Sequence, residues 1–354
     1  MARSVLTNAD LADLLALEAE NQAGTLARAY RRAARSAFLW PEAVSAMLDR
    51  GESLLSLHGV GPFIAKKLTR WVDNSPPRRS GRPAERRDFL TMADARMLLA
   101  QKPAWQAALR GDLQMHTVWS DGSGTVADMA EAATGRGYEY IAITDHSKGL
   151  KIAGGINETE LSQQGVEIVR LNAKMKATGN SLTILRSIEL NLNPRGEGDM
   201  HRSALNKLDL VLGSFHSVLR VKQDQTARYI AALRNPSLHI LGHPRGRVYN
   251  YRLGLKADWA RVFAVAAKLD KALEIDCYPD RQDLNVSLLK IARQEGVRIS
   301  LGTDAHHPWQ LEFITLGLAA ALKARIPAER IVNFTPLGEL KQWVASLRSA
   351  RSKR

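Results

Sequence analysis

Seven short, mostly apolar runs, separated by amphipathic stretches, constrain this chain more than any other feature. They cover residues 112–117, 140–145, 182–190, 208–215, 238–242, 272–277 and 297–302. Bounded by turn residues, they have the pattern of buried strands. The stretches between them, such as VADMAEAATGRG, KADWARVFAVAAKL and NVSLLKIARQEG, carry apolar residues at helical spacing. Strands alternating with helices argue for a parallel α/β sheet, and seven of them for closure or near closure into a barrel. No glycine-rich phosphate loop follows the first strand, which argues against a dinucleotide-binding sheet.

Residues with metal-binding chemistry gather where these runs end. The first ends QMHTVWSDG, with Gln114, His116 and Asp121. The second ends ITDHS, with Asp145 and His146. Glu189 closes RSIEL, His216 lies in GSFHS, His243 in LGHPRGR, and Asp304 and His306 in LGTDAHH. In a β/α barrel such ends share one rim. A single histidine beside a strand is an ordinary polar residue. Here five of the nine histidines and four acids occupy such ends, which points to a ligand cluster. Imidazole and carboxylate are ligands for zinc, manganese or iron. Arg245, Arg247 and Arg281 flank the cluster as phosphate clamps, or as salt-bridge partners of Asp280 and Asp283. His201, His239 and His307 are weaker ligand candidates. Trp119 and Trp309 either stack on a base or pack in the core. Cys277, the only cysteine, excludes an intramolecular disulfide and suits a reducing cytoplasm, where it packs as a small apolar residue.

This constellation resembles the PHP family, named for polymerases and histidinol phosphatase, over nearly the whole region 110–350. The resemblance implies a distorted (β/α)7 barrel with up to three ions of manganese or zinc, or iron. It implies that His116, Glu189 and Asp304 hold the first ion. Glu189 then bridges to a second, completed by His216 and His243, and Asp121, His146 and His306 hold a third. Asp145 would orient ligands from behind. One departure stands out. The family opens with His-x-His, and here the first position is Gln114, whose amide oxygen holds transition metals less tightly than imidazole.

The first 73 residues read as all helical. Asn8 or Asp10 is expected to cap a helix through LADLLALEAENQ, and Pro41 to start a third helix closed by Gly51. In the second helix Arg28, Arg31, Arg32 and Arg35 share one face, either solvated or set against phosphates. In Leu57-His58-Gly59-Val60-Gly61 two glycines permit a tight turn and expose amides to a phosphate oxygen. This is similar to a helix-hairpin-helix motif. With ENQAGTLARAYRRAARS, LHGVGPFIAKKL and the four-helix spacing, the region resembles the N-terminal domain of family X DNA polymerases. Lys67 stands where some members carry a lysine that forms a Schiff base with an abasic sugar.

Residues 74–109 read as a basic linker, NSPPRRSGRPAERR, followed by one or two connecting helices. Its prolines and arginines suit an extended strand touching nucleic acid and no core. That segment is too short for a polymerase domain, so polymerisation is not expected. The formal net charge of +14 favours polyanionic partners or serves solubility. There is no apolar run of membrane-span length and no signal-like N-terminus, so a cytoplasmic, nucleoid-associated protein is expected. No obligate protein partner is implied. The sequence thus points to a metal-dependent phosphoesterase acting on DNA, as a 3′-5′ exonuclease, 3′-end phosphatase or abasic-site nuclease. The alternatives are a small-molecule phosphatase similar to histidinol phosphatase, and an idle barrel that only binds DNA.

Overall fold

The expected parallel barrel forms. The computed structural model describes residues 6–76 and 81–352. Its strands are β1 (Gly111–Asp112), β2 (Tyr140–Ile143), β3 (Thr183–Arg186), β4 (Glu189–Asn191), β5 (Leu212–Ser214), β6 (Ile240–Leu241), β7 (Ala272–Asp276) and β8 (Arg298–Gly302). They pair in chain order as β1-β2-β3 and β4-β5-β6-β7-β8. All pairs are parallel, with Ile141 opposite Ile184 and Leu273 opposite Ile299.

Two seams close the sheets into one barrel. At the first, the Glu189 amide donates to the Thr144 and Asp145 carbonyls, and Ser147 N donates to Glu189 O at 3.1 Å. At the second, Leu113 N donates to Leu301 O, Asp304 N to Gln114 O, and His116 N to Ala305 O at 2.7 Å.

Two strand expectations need correction. The run 182–190 is broken at Ser187 and Ile188, so β3 pairs with β2 while β4 pairs with β5. The first run is regular only over Gly111–Asp112. Beyond it, side chains compete for the backbone: Met115 N donates to Thr144 Oγ1 at 3.0 Å and Thr117 N to Asp145 Oδ1 at 2.8 Å.

The helices are α1 (Asn8–Glu20), α2 (Gly24–Ser36), α3 (Val44–Asp49), α4 (Pro62–Asp73), α5 (Met92–Ala100), α6 (Pro103–Ala107), α7 (Val126–Gly135), α8 (Glu158–Ala177), α9 (Arg202–Leu205), α10 (Thr226–Arg234), α11 (Trp259–Lys268), α12 (Val286–Glu295), α13 (Ile314–Ala324) and α14 (Leu337–Ser352). Apolar faces of α10 to α13 make one core with the outer side of β6 to β8. Leu340, Trp343 and Val344 of α14 pack with Leu113, Tyr140, Leu212 and Ile240, plugging the end where the strands begin. Only the opposite rim is left for a site. Among the described residues, no helix is long and apolar enough to cross a membrane.

The N-terminal helices have their own core, in which Leu11 and Leu15 pack with Tyr30, Ala33 and Ala34. Burying that side of α2 leaves Arg28, Arg31, Arg32 and Arg35 exposed on the other. The cap of α1 is Thr7, in a reciprocal box with Asp10. Asn8 is buried instead and spans to the next segment, donating to Glu42 O and accepting from Val44 N. The third helix starts at Val44, after a turn containing Pro41. Gly59 has φ +73°, and a Cβ there would lie 2.5 Å from Ser36 Oγ, so the turn before α4 requires glycine.

The reading of 74–88 as a coreless linker is corrected for its second half; residues 77–80 lie outside the described residues. Arg86 is buried, because acids on α1 draw it in. It pairs with Asp13 at 3.1 Å and with Glu20, and donates to Asn250 Oδ1 at 2.7 Å. Arg82 pairs with Asp10. Next to this, Phe89 packs edge-on against Tyr249 at 5.3 Å, and Phe38 lies 4.7 Å from the same ring. The guanidinium of Arg247 covers the Phe89 ring at 3.6 Å. The helical and barrel cores therefore meet through these aromatics. Phe89→Ala is expected to cost about 3 kcal/mol, in the range for emptying a buried aromatic site. The check is a lower urea midpoint, with faster proteolysis near residues 81–89. An unchanged midpoint would show that the aromatics do not hold the two parts together.

Candidate metal centre

The rim brings together nearly the whole set of expected donors. Three groups each hold their ligand atoms within 4.8 Å of one another: His116, Asp121, His146 and His306; His146, Glu189 and His216; and His116, Glu189 and Asp304. Glu189 is the hub. Its carboxylate lies 2.7 Å from His243 Nε2, 3.3 Å from His216 Nε2, 2.9 Å from His146 Nδ1 and 3.5 Å from His116 Nε2. Asp304 lies 3.0 Å from His116 Nε2. Asp121 reaches His306 at 3.3 Å and His146 at 3.5 Å. His146 thus faces both Asp121 and Glu189, a wider role than the third-ion position expected for it.

Local backbone explains the aim of two donors. His243 has φ 21° and Asp304 has φ 53°. Left-handed backbone at non-glycine residues carries strain, and such strain collects at functional sites.

The electrostatics favour cations. Burial would raise the Glu189 carboxyl, but His146, His216 and His243 hold it well below the usual range. Burial also works against the Asp304 charge, yet Arg281 and His116 keep that group strongly ionised. Burial lowers His116, and the rings of His146 and His306 lower it further. These rings stack on it at 4.3 and 4.4 Å, so its neutral, ligating form is favoured. Nδ1 of His116 and of His243 is buried without a hydrogen-bond partner. Buried polar atoms are rarely left so unless an ion or water completes them. Imidazole and carboxylate donors with orphaned nitrogens fit divalent metal.

Other expected residues are placed differently. Gln114 is buried and turns to Glu274: in the orientation that satisfies its neighbours, its amide nitrogen donates to the two carboxylate oxygens at 2.5 and 2.7 Å. This contact commits the amide nitrogen, since a buried carboxylate is a strong acceptor for an amide, and leaves the oxygen as the atom that Gln114 has to offer an ion. The Asp145 carboxylate is turned to the loop behind the donors. It accepts from Thr117 N and Oγ1, Ser120 Oγ and Gln164 Nε2, fixing the loop that carries Asp121.

Of the three arginines, only Arg281 reaches the centre, 3.7 Å from Asp304 and 3.8 Å from Asp276. Arg245 donates to Leu253 O, and Arg247 is turned to the Arg87 and Asp88 carbonyls. Those carbonyls need donors, and the Phe89 face holds the Arg247 guanidinium there, turned away from the metal donors. Lys67 Nζ pairs with Glu18 at 2.8 Å and lies over Trp71 at 5.1 Å. It would have to leave both to attack a sugar.

His201 and His307 cap turns, and His239 accepts from Val211 N. Trp119 donates to Glu167, while Trp309 stands exposed at the rim. Cys277 is buried in the core.

Sequence reasoning missed Glu274 and Asp276. Burial pushes Glu274 well up, and Asp276 adds to it; Asp276 is raised by burial and by Asp304. The available signal was two acids at alternating positions of the apolar strand ALEID.

The PHP domain profile matches residues 112–303. The DNA polymerase/3′-5′ exonuclease PolX of Bacillus subtilis is 34% identical over 237 residues, 67% of this chain and 41% of that protein. The chain therefore spans about two fifths of the length of that relative. A probable phosphatase of Shewanella sediminis is 29% identical over 236 residues, 64% of this chain and 89% of that one. Another, of a Thermoanaerobacter species, is 25% identical over 239 residues, covering 66% and 93% of the two chains. Histidinol phosphate phosphatase of Lactococcus lactis, solved with zinc, L-histidinol and phosphate, aligns at a TM-score of 0.45 with 19% identity, over 61% of this chain and 93% of that one.

His216→Ala and His243→Ala should each lower the metal bound per chain, measured by elemental analysis of the purified, folded protein. Native metal content in both variants would remove these histidines from the centre. Gln114→His should tighten the weakest ion by about ten- to a hundredfold, the scale of effects around metal ligands. A chelator titration reads this, and an unshifted midpoint would mean that position 114 belongs to Glu274 alone.

Proposed function

The chain belongs to the PHP domain family, and from that premise we propose that it is a divalent-metal phosphoesterase acting on DNA, with 3′-5′ exonuclease action as its first candidate activity. The observation that carries the reading is the set of donors interlocked through Glu189 on the open rim. In this reading His116, Glu189 and Asp304 hold one ion, Glu189, His216 and His243 a second, and Asp121, His146 and His306 a third. Bound ions would supply charge neutralisation for phosphate oxygens and a water acidic enough to attack near neutral pH.

The chain's own residues do the rest. Asp304 and Asp276 anchor Arg281, whose guanidinium can donate to a phosphate oxygen on the outer side. Asp145 keeps the Thr117–Ser120 turn rigid, so that Asp121 meets His306 in one geometry. Gln114, together with the His243 amide, satisfies Glu274, a buried acid that faces Asp276, Asp304 and Glu189.

DNA as the substrate is supported by the N-terminal helices. The Gly59–Gly61 turn sets free amides at the start of α4, a position suited to a phosphate. The basic side of α2 adds four cations. The PolX relative is named as a 3′-5′ exonuclease. Processing of other 3′ ends or of abasic sites follows from the same chemistry.

A small-molecule phosphatase is the second reading. It is favoured by the probable phosphatases, which match over about nine tenths of their length. One experiment separates the two. Manganese-loaded protein is given a 5′-labelled oligonucleotide, a 3′-labelled one and histidinol phosphate. A ladder of shortened 5′-labelled products, with little phosphate from histidinol phosphate, is expected. Fast release of phosphate with intact oligonucleotides would establish the second reading. Inactivity on all of them at every manganese concentration would mark the barrel as idle.

A further inference from the structure

The basic side of α2 does not face open solvent alone. Across from it stands the rim of the barrel, and between them lies a cleft of about 470 Å³. Arg28, Arg31, Arg32 and Arg35 form one wall; Tyr278 and Trp309 belong to the other. His58, at the turn before α4, borders the same space. We propose that this cleft guides a single-stranded DNA end to the metal centre, with the arginines on the backbone phosphates and Trp309 stacked on a base. This rests on the reading of the chain as a DNA phosphoesterase and adds the path the strand takes.

Four observations carry it. The first is charge. Among the described residues, the ion pairs of the N-terminal helices and the following segment are made by Arg50, Lys67, Arg82 and Arg86. None is made by the four arginines of the cleft, although Arg28 donates to Thr25 Oγ1 at 3.1 Å and the charge of Arg35 acts on Asp280. Spaced along one helix face with only Asp280 as a carboxylate in the lining, they form a row of cations suited to successive phosphates.

The second is the aromatic wall. Trp309 is 45% exposed, although it is among the largest apolar side chains. Phe313 meets it edge-on at 5.2 Å and is itself buried. Tyr278 packs edge-on against the same Phe313 ring, also at 5.2 Å. The indole is thus held in place from the side, which leaves a face for a base.

The third is continuity with the centre. Tyr278 lines the cleft, and the Arg281 guanidinium lies 5.9 Å from its ring. Arg281 in turn lies 3.7 Å from Asp304. Trp309 follows His306 by three residues. Both ends of the aromatic wall therefore lead to donors of the metal site. The fourth is size: the volume is that of a pocket for one drug-sized molecule, which matches a nucleotide or two of a single strand.

The test uses the full chain loaded with manganese. Arg31→Glu/Arg35→Glu and Trp309→Ala are compared with native protein on a labelled single-stranded oligonucleotide and on bis(p-nitrophenyl) phosphate, which is too short to span the cleft. KM for the oligonucleotide should rise by about tenfold or more in each variant, the scale of lost phosphate and stacking contacts. Turnover of the small diester should fall by much less than the oligonucleotide value of kcat/KM, because the diester does not reach the arginine wall. A hydrolysis-resistant phosphorothioate oligonucleotide carrying 2-aminopurine at one terminus or the other should be quenched on binding to native protein and not to Trp309→Ala. Unchanged KM and quenching would overturn the guide. Equal losses on both substrates would also overturn it, by making the arginines supports of the fold or centre. Native protein that cleaves the small diester but no oligonucleotide would sink the DNA reading, and the guide with it.

Discussion

One buried carboxylate, Glu189, organises the rim. A fully buried acid is costly unless its charge is met, and here four imidazoles from four strand ends converge on it. To bring it there, the third strand bends at Ser187 and Ile188 and passes from one sheet to the other. The distortion of the barrel and the convergence of the donors are two aspects of the same local event. The remaining strands need only end at the same height.

The architecture was readable in the sequence where signals are long and periodic. Seven apolar runs with helices between them predict the parallel barrel, and His116, His146, Glu189, His216, Asp304 and His306 announce themselves by standing at strand ends. What was not readable depends on partners distant in sequence. Nothing in QMHT reveals that Gln114 meets Glu274, 160 residues later. Nothing in GRPAERR shows that Arg86 finds Asp13 and Glu20 on α1, so a basic, proline-containing stretch reads as linker. Thr7 outcompeted Asn8 as the cap because Asn8 had a better use, holding Glu42 and Val44. Tertiary contacts overrode local preference in each case.

The union of the helical part with the barrel follows the same logic. An exposed phenylalanine pair would be a liability, and Phe38 and Phe89 are covered by Tyr249. Met92 N reaches back to Phe38 O at 2.8 Å, and Asn250 N to Glu85 O. The backbone as well as the side chains tie the helices to the rim side of the barrel. This fixed docking turns a basic helix and an aromatic rim into opposite walls of one space.

The two seams of the barrel have a further consequence. Each is closed by backbone hydrogen bonds of residues at or beside the donors: Glu189 with Thr144 to Ser147 on one side, and Gln114 and His116 with Asp304 and Ala305 on the other. Any ion shared by His116, Glu189 and Asp304 reaches across both. Such an ion would act as a clasp on the hoop, its binding energy adding to the work of opening it. The barrel without it would then open first at these seams rather than at β5 to β8. Amide exchange at 144–147 and 302–305 is where the clasp would be felt.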